Sequence, residues 1–198
     1  MGIHERKERE KENIKQMMAN AARELFIENG IESVSMRKIA DKIEYSPTTL
    51  YNYYANKADI LKTLVEDYFK EYAIESEKHI ADTNRDPIEN LKAYMKLSVH
   101  RAIGNPGMYR LMSSLFSESN NLKFGISGAV KGYNNLKELT QRCIDTHQIP
   151  EGNIDIQTQA LWAVTHGLSS LFANRPSFNW ENHEELMDTA ISAVIKGL

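Results

Sequence analysis

Apolar residues recur at three- and four-residue steps along nearly the whole chain, the repeat of helices that each bury one face. The first such stretch is expected over residues 5–28. It carries Ile14, Met17, Met18, Ala21, Ala22, Leu25 and Phe26 on one side, and Asn29-Gly30 suits its end. Its front, 5–15, alternates charges of both signs and reads as a solvated arm or frayed turn. Ser35 is placed to cap a short second helix, 36–43. Ser46-Pro47 opens a third, 47–53, because a serine oxygen accepts an orphan backbone N–H and proline is preset for the first helical position. Asn56 caps a longer fourth helix, 57–80, with Ile60, Leu61, Leu64, Val65, Tyr68 and Tyr72 on its apolar face. Asp86-Pro87 opens a fifth, ending near 104, and Asn105-Pro106 a sixth, around 108–116. A polar stretch with several glycines then delays the seventh, expected from about 130 to 147. Asn153 caps an eighth, to 174, and a ninth closes the chain after a loop at 175–182. No run of alternating β-branched residues interrupts this order, so the fold class is all-α with nine helices. The first three helices form one small unit, which puts the expected domains at 1–56 and 57–198.

The stretch 35–57, SMRKIADKIEYSPTTLYNYYANK, holds two short helices separated by a tight turn, the layout of a helix-turn-helix. Ile39, Ala40 and Ile43 can pack inward from the first of them and Leu50 from the second, with the small Ala40 allowing close approach. The second helix is left with Thr48, Thr49, Asn52 and Tyr53 outward, short polar or aromatic groups able to touch base edges, thymine methyls and phosphates. Arg37 and Lys57 bracket them and are within reach of phosphates on either side. Two amphipathic helices of an ordinary bundle would show the same spacing.

Over residues 13–64 the chain resembles the DNA-binding domain of the tetracycline-repressor (TetR) family. The matching residues are Ala21-Ala22, Leu25-Phe26, Glu28-Asn29-Gly30, Ile39-Ala40, the run Ser46-Pro47-Thr48-Thr49-Leu50-Tyr51-Asn52-Tyr53-Tyr54, then Asn56-Lys57 and Ile60-Leu61. The resemblance implies a TetR-like all-α fold, with an N-terminal helix-turn-helix domain of three helices and a C-terminal ligand-binding and dimerising domain. It also implies that Ser35 and Arg37 lie against the DNA backbone. Thr48, Thr49, Tyr51, Asn52 and Tyr53 would face the groove, and Lys57 would meet a phosphate. The family usually has glycine in the turn where this chain has Glu44, which sets a carboxylate near the DNA side. The function implied is a homodimeric transcriptional regulator, a repressor released from a palindromic double-stranded operator by a small apolar or amphipathic effector.

Farther along, Trp162, His166 and Gly167 in WAVTHG, with NPGMYRLM at 105–112, look similar to a subgroup of that family marked by Trp, His and Gly. His166 beside aromatics also suits a hydrogen-bonded core position. Candidates for a ligand pocket are Tyr94, Met95, Met108, Met112, Phe116, Phe124, Trp162 and His166, since methionine adapts its shape to bulky apolar molecules; such a stripe equally describes a plain helical core. Ala160, Ala163, Gly167 and Ser170 form a small-residue stripe. With Leu186, Ala190, Ile191 and Val194 of the last helix they suit a four-helix dimer seam, or intramolecular packing.

Composition narrows the alternatives. Of 198 residues 41% are apolar, enough for a buried core. The single cysteine, Cys143, excludes a disulfide framework and a Cys-rich zinc module. No stretch approaches the length of a membrane span, the charged start does not resemble a secretory signal, and Arg6 stands where a myristoylation motif needs Ser or Thr. A cytoplasmic setting is therefore expected. Gly125, Gly128 and Gly132 form no phosphate-binding loop and follow no strand, and the six histidines lack metal-ligand spacing. Neither a cofactor nor a metal nor catalysis is expected; a helical carrier of hydrophobic ligands, or a bundle enzyme without DNA binding, is the competing reading. The net charge of −3 opposes nucleic acid as a sum, but residues 1–60 balance ten basic against ten acidic residues, and 45–58 hold no acid at all. Local placement governs contact, so low nonspecific affinity is the expectation, not exclusion.

Overall fold

The computed structural model describes residues 2–117 and 126–198. These form nine helices and no strand: α1 (Ile3–Asn29), α2 (Met36–Lys42), α3 (Pro47–Tyr51), α4 (Lys57–Ala81), α5 (Pro87–Gly104), α6 (Pro106–Ser117), α7 (Ile126–Asp145), α8 (Ile154–Asn174) and α9 (His183–Lys196). They fall into two compact units, Met1–Tyr68 with Leu111–Phe124, and Phe69–Arg110 with Gly125–Leu198. The division cuts α4 after Tyr68 and α6 after Arg110.

In the first unit α1 buries Met18, Ala19, Ala22 and Phe26, α2 buries Met36, Ile39 and Ala40, and Leu50 fills the space from α3. Ile60, Leu61, Leu64 and Val65 complete this core from α4. The stripe expected on α1 is rotated slightly: Ala19 is fully buried, while Met17 is 38% exposed. The charged front of α1 is solvent-exposed, as expected, yet it is helical from Ile3 and not frayed. Its first turn is closed by the Gly2 amide donating to the Glu5 carboxylate at 2.9 Å, an acid placed at the positive end of the helix. At the other end Gly30 adopts φ 77°, ψ 154°, a conformation side chains rarely tolerate, and its N–H closes on Phe26 O.

Two helices stop by the same device without glycine. After α2, the Glu44 amide donates to Asp41 O at 3.2 Å and the Tyr45 amide to Ala40 O at 3.0 Å. After α7, His147 donates to Ile144 O at 2.9 Å and Gln148 to Cys143 O at 2.8 Å. This paired closure needs a left-handed residue, and Glu44 (φ 58°) and His147 (φ 57°) take it. The usual penalty for a side chain there is roughly 1–2 kcal/mol. Because glycine marks neither stop, α7 ends two residues before the expected 147. It also begins at Ile126, earlier than expected, and α6 begins at Pro106, where Asn105 Oδ1 accepts from the Met108 amide at 3.0 Å.

The second unit is organised around α5, which packs on α7, α8 and α9. Leu91, Met95, Val99, Leu139, Leu161 and Met187 are among its fully buried residues. Gly128 and Gly132, one turn apart on α7, have a packing role. A Cβ on Gly128 would stand 2.5 Å from Phe69 Cγ, and one on Gly132 would stand 3.4 Å from Tyr72. Two phenols that come inside are paired: Tyr94 OH donates to Gly132 O at 2.8 Å, and Tyr72 OH meets Ser98 Oγ at 2.8 Å. Burial holds the Tyr94 phenol far above its ordinary pKa. Arg142 caps the end of α4 by donating to Ile80 O, and Arg110 caps α8 through Ala173 O, each at 2.6 Å. The start of α9 is tied to α5 by Lys96–Asp188 at 2.6 Å and by His100–Glu184. The His100 hydrogen bond holds the Glu184 carboxyl below its usual range.

Candidate nucleic-acid interface

Two serines set the geometry of the helix-turn-helix. Ser35 Oγ accepts from the Lys38 amide at 3.2 Å and starts α2; Ser46 Oγ accepts from the Thr49 amide at 3.1 Å and starts α3. Pro47 occupies the first position of α3, where its missing N–H costs nothing. Leu50 then points inward and is fully buried, which turns the opposite side of this one-and-a-half-turn helix to solvent.

That side carries Thr48, Tyr51 and Asn52, all exposed, with Tyr51 54% accessible. Tyr53 is half-buried. Thr49 differs from Thr48: its hydroxyl is 2.8 Å from Ser46 Oγ and is occupied with the helix start. Arg37 is almost fully exposed and only loosely held, 4.0 Å from Asp41, so its guanidinium is available to an anion. Ser35 spends its oxygen on the cap. Of the sequence-derived candidates, Thr48, Tyr51, Asn52 and Arg37 thus present themselves to solvent, while Ser35 and Thr49 shape the backbone.

Lys57 has a role that its position in the sequence did not reveal. Its Nζ donates to Ile31 O at 2.7 Å, tying the start of α4 to the turn after α1. An ammonium has three donors, so this bond leaves capacity for a phosphate. The same helix start is clasped twice more: Asn56 Oδ1 accepts from the Asp59 amide at 3.1 Å, and the Asp59 carboxylate accepts from the Ala55 amide at 3.0 Å. Tyr54 is the other unforeseen contributor. It is 2% exposed, donates to Lys15 O at 3.2 Å, and lies under the Lys15 ammonium at 5.7 Å. Burial pushes its phenol up to about 12. No spacing rule separates the buried Tyr54 from the exposed Tyr51 and the half-buried Tyr53, because the chain leaves the helix at Tyr51 and the 3.6-residue repeat no longer applies.

The other candidates are dispersed. Tyr94 and Met95 belong to the core around α5, and Met108 is buried in the same unit. Met112 is buried in the first unit. The side chain of Phe116, and Phe124 altogether, lie outside the described residues. Trp162 and His166 sit on the solvent side of α8, where Trp162 is 53% exposed. Trp162 contacts Tyr133 edge-on at 6.1 Å, and His166 Nδ1 is 3.2 Å from Tyr109 OH. A shallow groove along α1 and the end of α2, lined by Met17, Asn20, Glu24 and Lys42, involves none of these residues.

Of the seam candidates, Ala163 and Leu186 are exposed and Ala160, Gly167, Ser170, Ala190 and Val194 half-buried. Ile191 is a correction: at 1% exposure it faces the core, because α9 buries it in line with Met187 and Ile195. Ile156 and Leu171, unforeseen in the sequence, extend the exposed apolar side of α8. A Cβ on Gly167 would meet nothing within 4 Å among the described residues. Among the described residues no cluster of three or more His, Cys, Asp or Glu could hold a metal, and no helix is long and apolar enough to cross a membrane. Cys143 is buried, and its thiol is pushed up to about 12.

The fold and this interface define an all-helical protein with an N-terminal helix-turn-helix domain. Residues 19–64 match the N-terminal domain of the family described as bacterial regulatory proteins, tetR family. The HTH-type transcriptional regulator UidR of Escherichia coli (strain K12) is 32% identical over 91 residues, covering 43% of this chain and 42% of UidR. The chain thus matches less than half the length of that curated relative. Similarity of fold runs further. The transcriptional regulator FadR of Bacillus subtilis, solved with stearoyl-CoA, superimposes with a TM-score of 0.77 at 21% identity, over 92% of this chain and 98% of FadR. AibR, solved with isovaleryl coenzyme A and operator DNA, gives 0.75 at 14% identity, over 91% and 97%. The all-α TetR-like fold therefore extends through both units.

Proposed function

We propose that the chain is a cytoplasmic, homodimeric DNA-binding transcriptional regulator, a repressor that a small apolar or amphipathic molecule releases from a palindromic operator. The observation that carries this reading is the outward set Thr48, Tyr51 and Asn52 on a serine-capped helix, inside a segment matching the tetR-family N-terminal domain. Residues 1–56 act as the reading domain, with Arg37 and Lys57 on phosphates beside α3. Residues 57–198 bind the effector and dimerise. Each protomer sets α3 in one major groove, so two half-sites lie about 34–36 Å apart.

The dimer seam runs along Ala160, Ala163, Gly167 and Ser170 with Leu186, Ala190 and Val194. The open space at Gly167 supports a close approach of a second copy there. In this reading the second unit belongs to the Trp-His-Gly subgroup, which the run holding Trp162, His166 and Gly167 supports. Acyl-CoA thioesters are the first effectors to test, because FadR and AibR were solved with stearoyl-CoA and isovaleryl coenzyme A. Effector binding alters α4, which passes from one unit to the other, and lowers operator affinity by a coupling of about 1–3 kcal/mol. No catalysis enters this mechanism. A gel-shift experiment with DNA selected from a random pool tests the proposal. It predicts a palindromic site bound at moderate salt and released by ligand; absence of any sequence preference overturns it.

A further inference from the structure

The closure after α2 explains why position 44 is left-handed, but nothing inside the described chain explains why a glutamate stands there. It occupies the left-handed region at φ 58°, where a β-carbon is disfavoured and glycine would be at ease. Its carboxylate is exposed and, among the described residues, neither ion-paired nor hydrogen-bonded, whereas nearby Asp41 faces Arg37 and Glu24 faces Lys42 at 3.0 Å. The residue stands two positions before the cap of α3, and the following segment to Ala58 contains no other acid. The leading end of a reading helix is the part that enters the groove, so this charge sits at the edge of the interface. On DNA it would repel phosphates, and the groups able to offset that repulsion are base amino groups, cytosine N4 or adenine N6, the donors that the major groove offers to a carboxylate.

Resting on the regulator reading, we propose that Glu44 is a specificity-determining residue, accepting a hydrogen bond from a base amino group in each half-site while holding the protein off other DNA. The test selects binding sites from a random DNA pool with the full-length wild type, E44G and E44Q, and measures affinity for non-operator DNA. Glycine relieves the backbone, so E44G folds. The expected result is a base pair in each half-site that wild type selects and E44G does not. Non-operator affinity should rise about three- to tenfold in both variants as the repulsion is removed. Identical selected sites for wild type and E44G overturn the inference and leave the regulator reading standing. A wild type that selects no site overturns both.

Discussion

The Lys57 ammonium donates to the Ile31 carbonyl at 2.7 Å, so a residue that reads as a phosphate contact is also a tie within the first unit. The two roles separate experimentally. K57M should cost about 1.5 kcal/mol through the lost bond, lowering Tm by roughly 3–6 °C, since a bond from a charged donor is worth a little more than the average. If each protomer also spends Lys57 on one phosphate, the salt dependence of operator binding loses about 0.9 per protomer. Thermal melts and salt titrations read the two effects independently. An unchanged salt slope would confine Lys57 to the structural role.

Thr48 and Thr49 are adjacent and chemically identical, yet among the described residues only the Thr49 hydroxyl is engaged, 2.8 Å from Ser46 Oγ. T48V is expected to leave the melting temperature unchanged and to weaken operator binding by about 1–3 kcal/mol if its hydroxyl meets a base. T49V should lower stability by about 0.5–1.5 kcal/mol. Equal effects of both substitutions on binding alone would contradict this division. Y51A serves as companion, abolishing binding while the circular dichroism is preserved.

Gly128 and Gly167 lie in helices, and replacement by alanine ordinarily stabilises a helix by about 1 kcal/mol. At Gly128 the sign should reverse: the new Cβ lands 2.5 Å from Phe69 Cγ, and overpacking of this kind costs about 1–3 kcal/mol. Adding F69A to G128A should recover part of the loss. At Gly167 the space is open among the described residues, so G167A should leave the protomer fold intact but weaken the dimer about tenfold, seen by sedimentation. A dimer unaffected by G167A removes Gly167 from the seam.

Tyr54 and Cys143 predict behaviour at high pH. Both folded-state values are raised to about 12 by burial, above the ordinary 10.0 and 9.0. The folded chain therefore holds protons that the unfolded chain releases first. The stability contributed is complete below the unfolded values and is lost as pH rises towards 12. Denaturant titrations at pH 8 and pH 11 should show the decline, and Y54F should flatten its tyrosine part above pH 10. At pH 8 the buried thiol should react with an alkylating reagent only when the chain unfolds. Rapid labelling of the folded protein would contradict that.

Much of this was legible in the chain itself. Helix starts at Ser35, Ser46, Asp86 and Asn153 were readable because capping depends on residues only two or three positions apart. The three-to-four-residue stripes identified the all-α class and most of the core. The outward face of α3 followed from Leu50 facing in.

Tertiary structure decided what local spacing does not encode. The ends after Lys42 and Asp145 rest on left-handed Glu44 and His147, residues that carry no stop signal of their own. Which tyrosine is buried, Tyr54, depends on Lys15, 39 positions away. The second duty of Lys57 depends on Ile31, and the glycines at 128 and 132 are explained only by the rings of Phe69 and Tyr72. Ile191 proved to be core although its spacing suited the seam, because a helical stripe records that a face is apolar and not what covers it. Short-range patterns specify elements; contacts between residues far apart in sequence depend on how the elements pack.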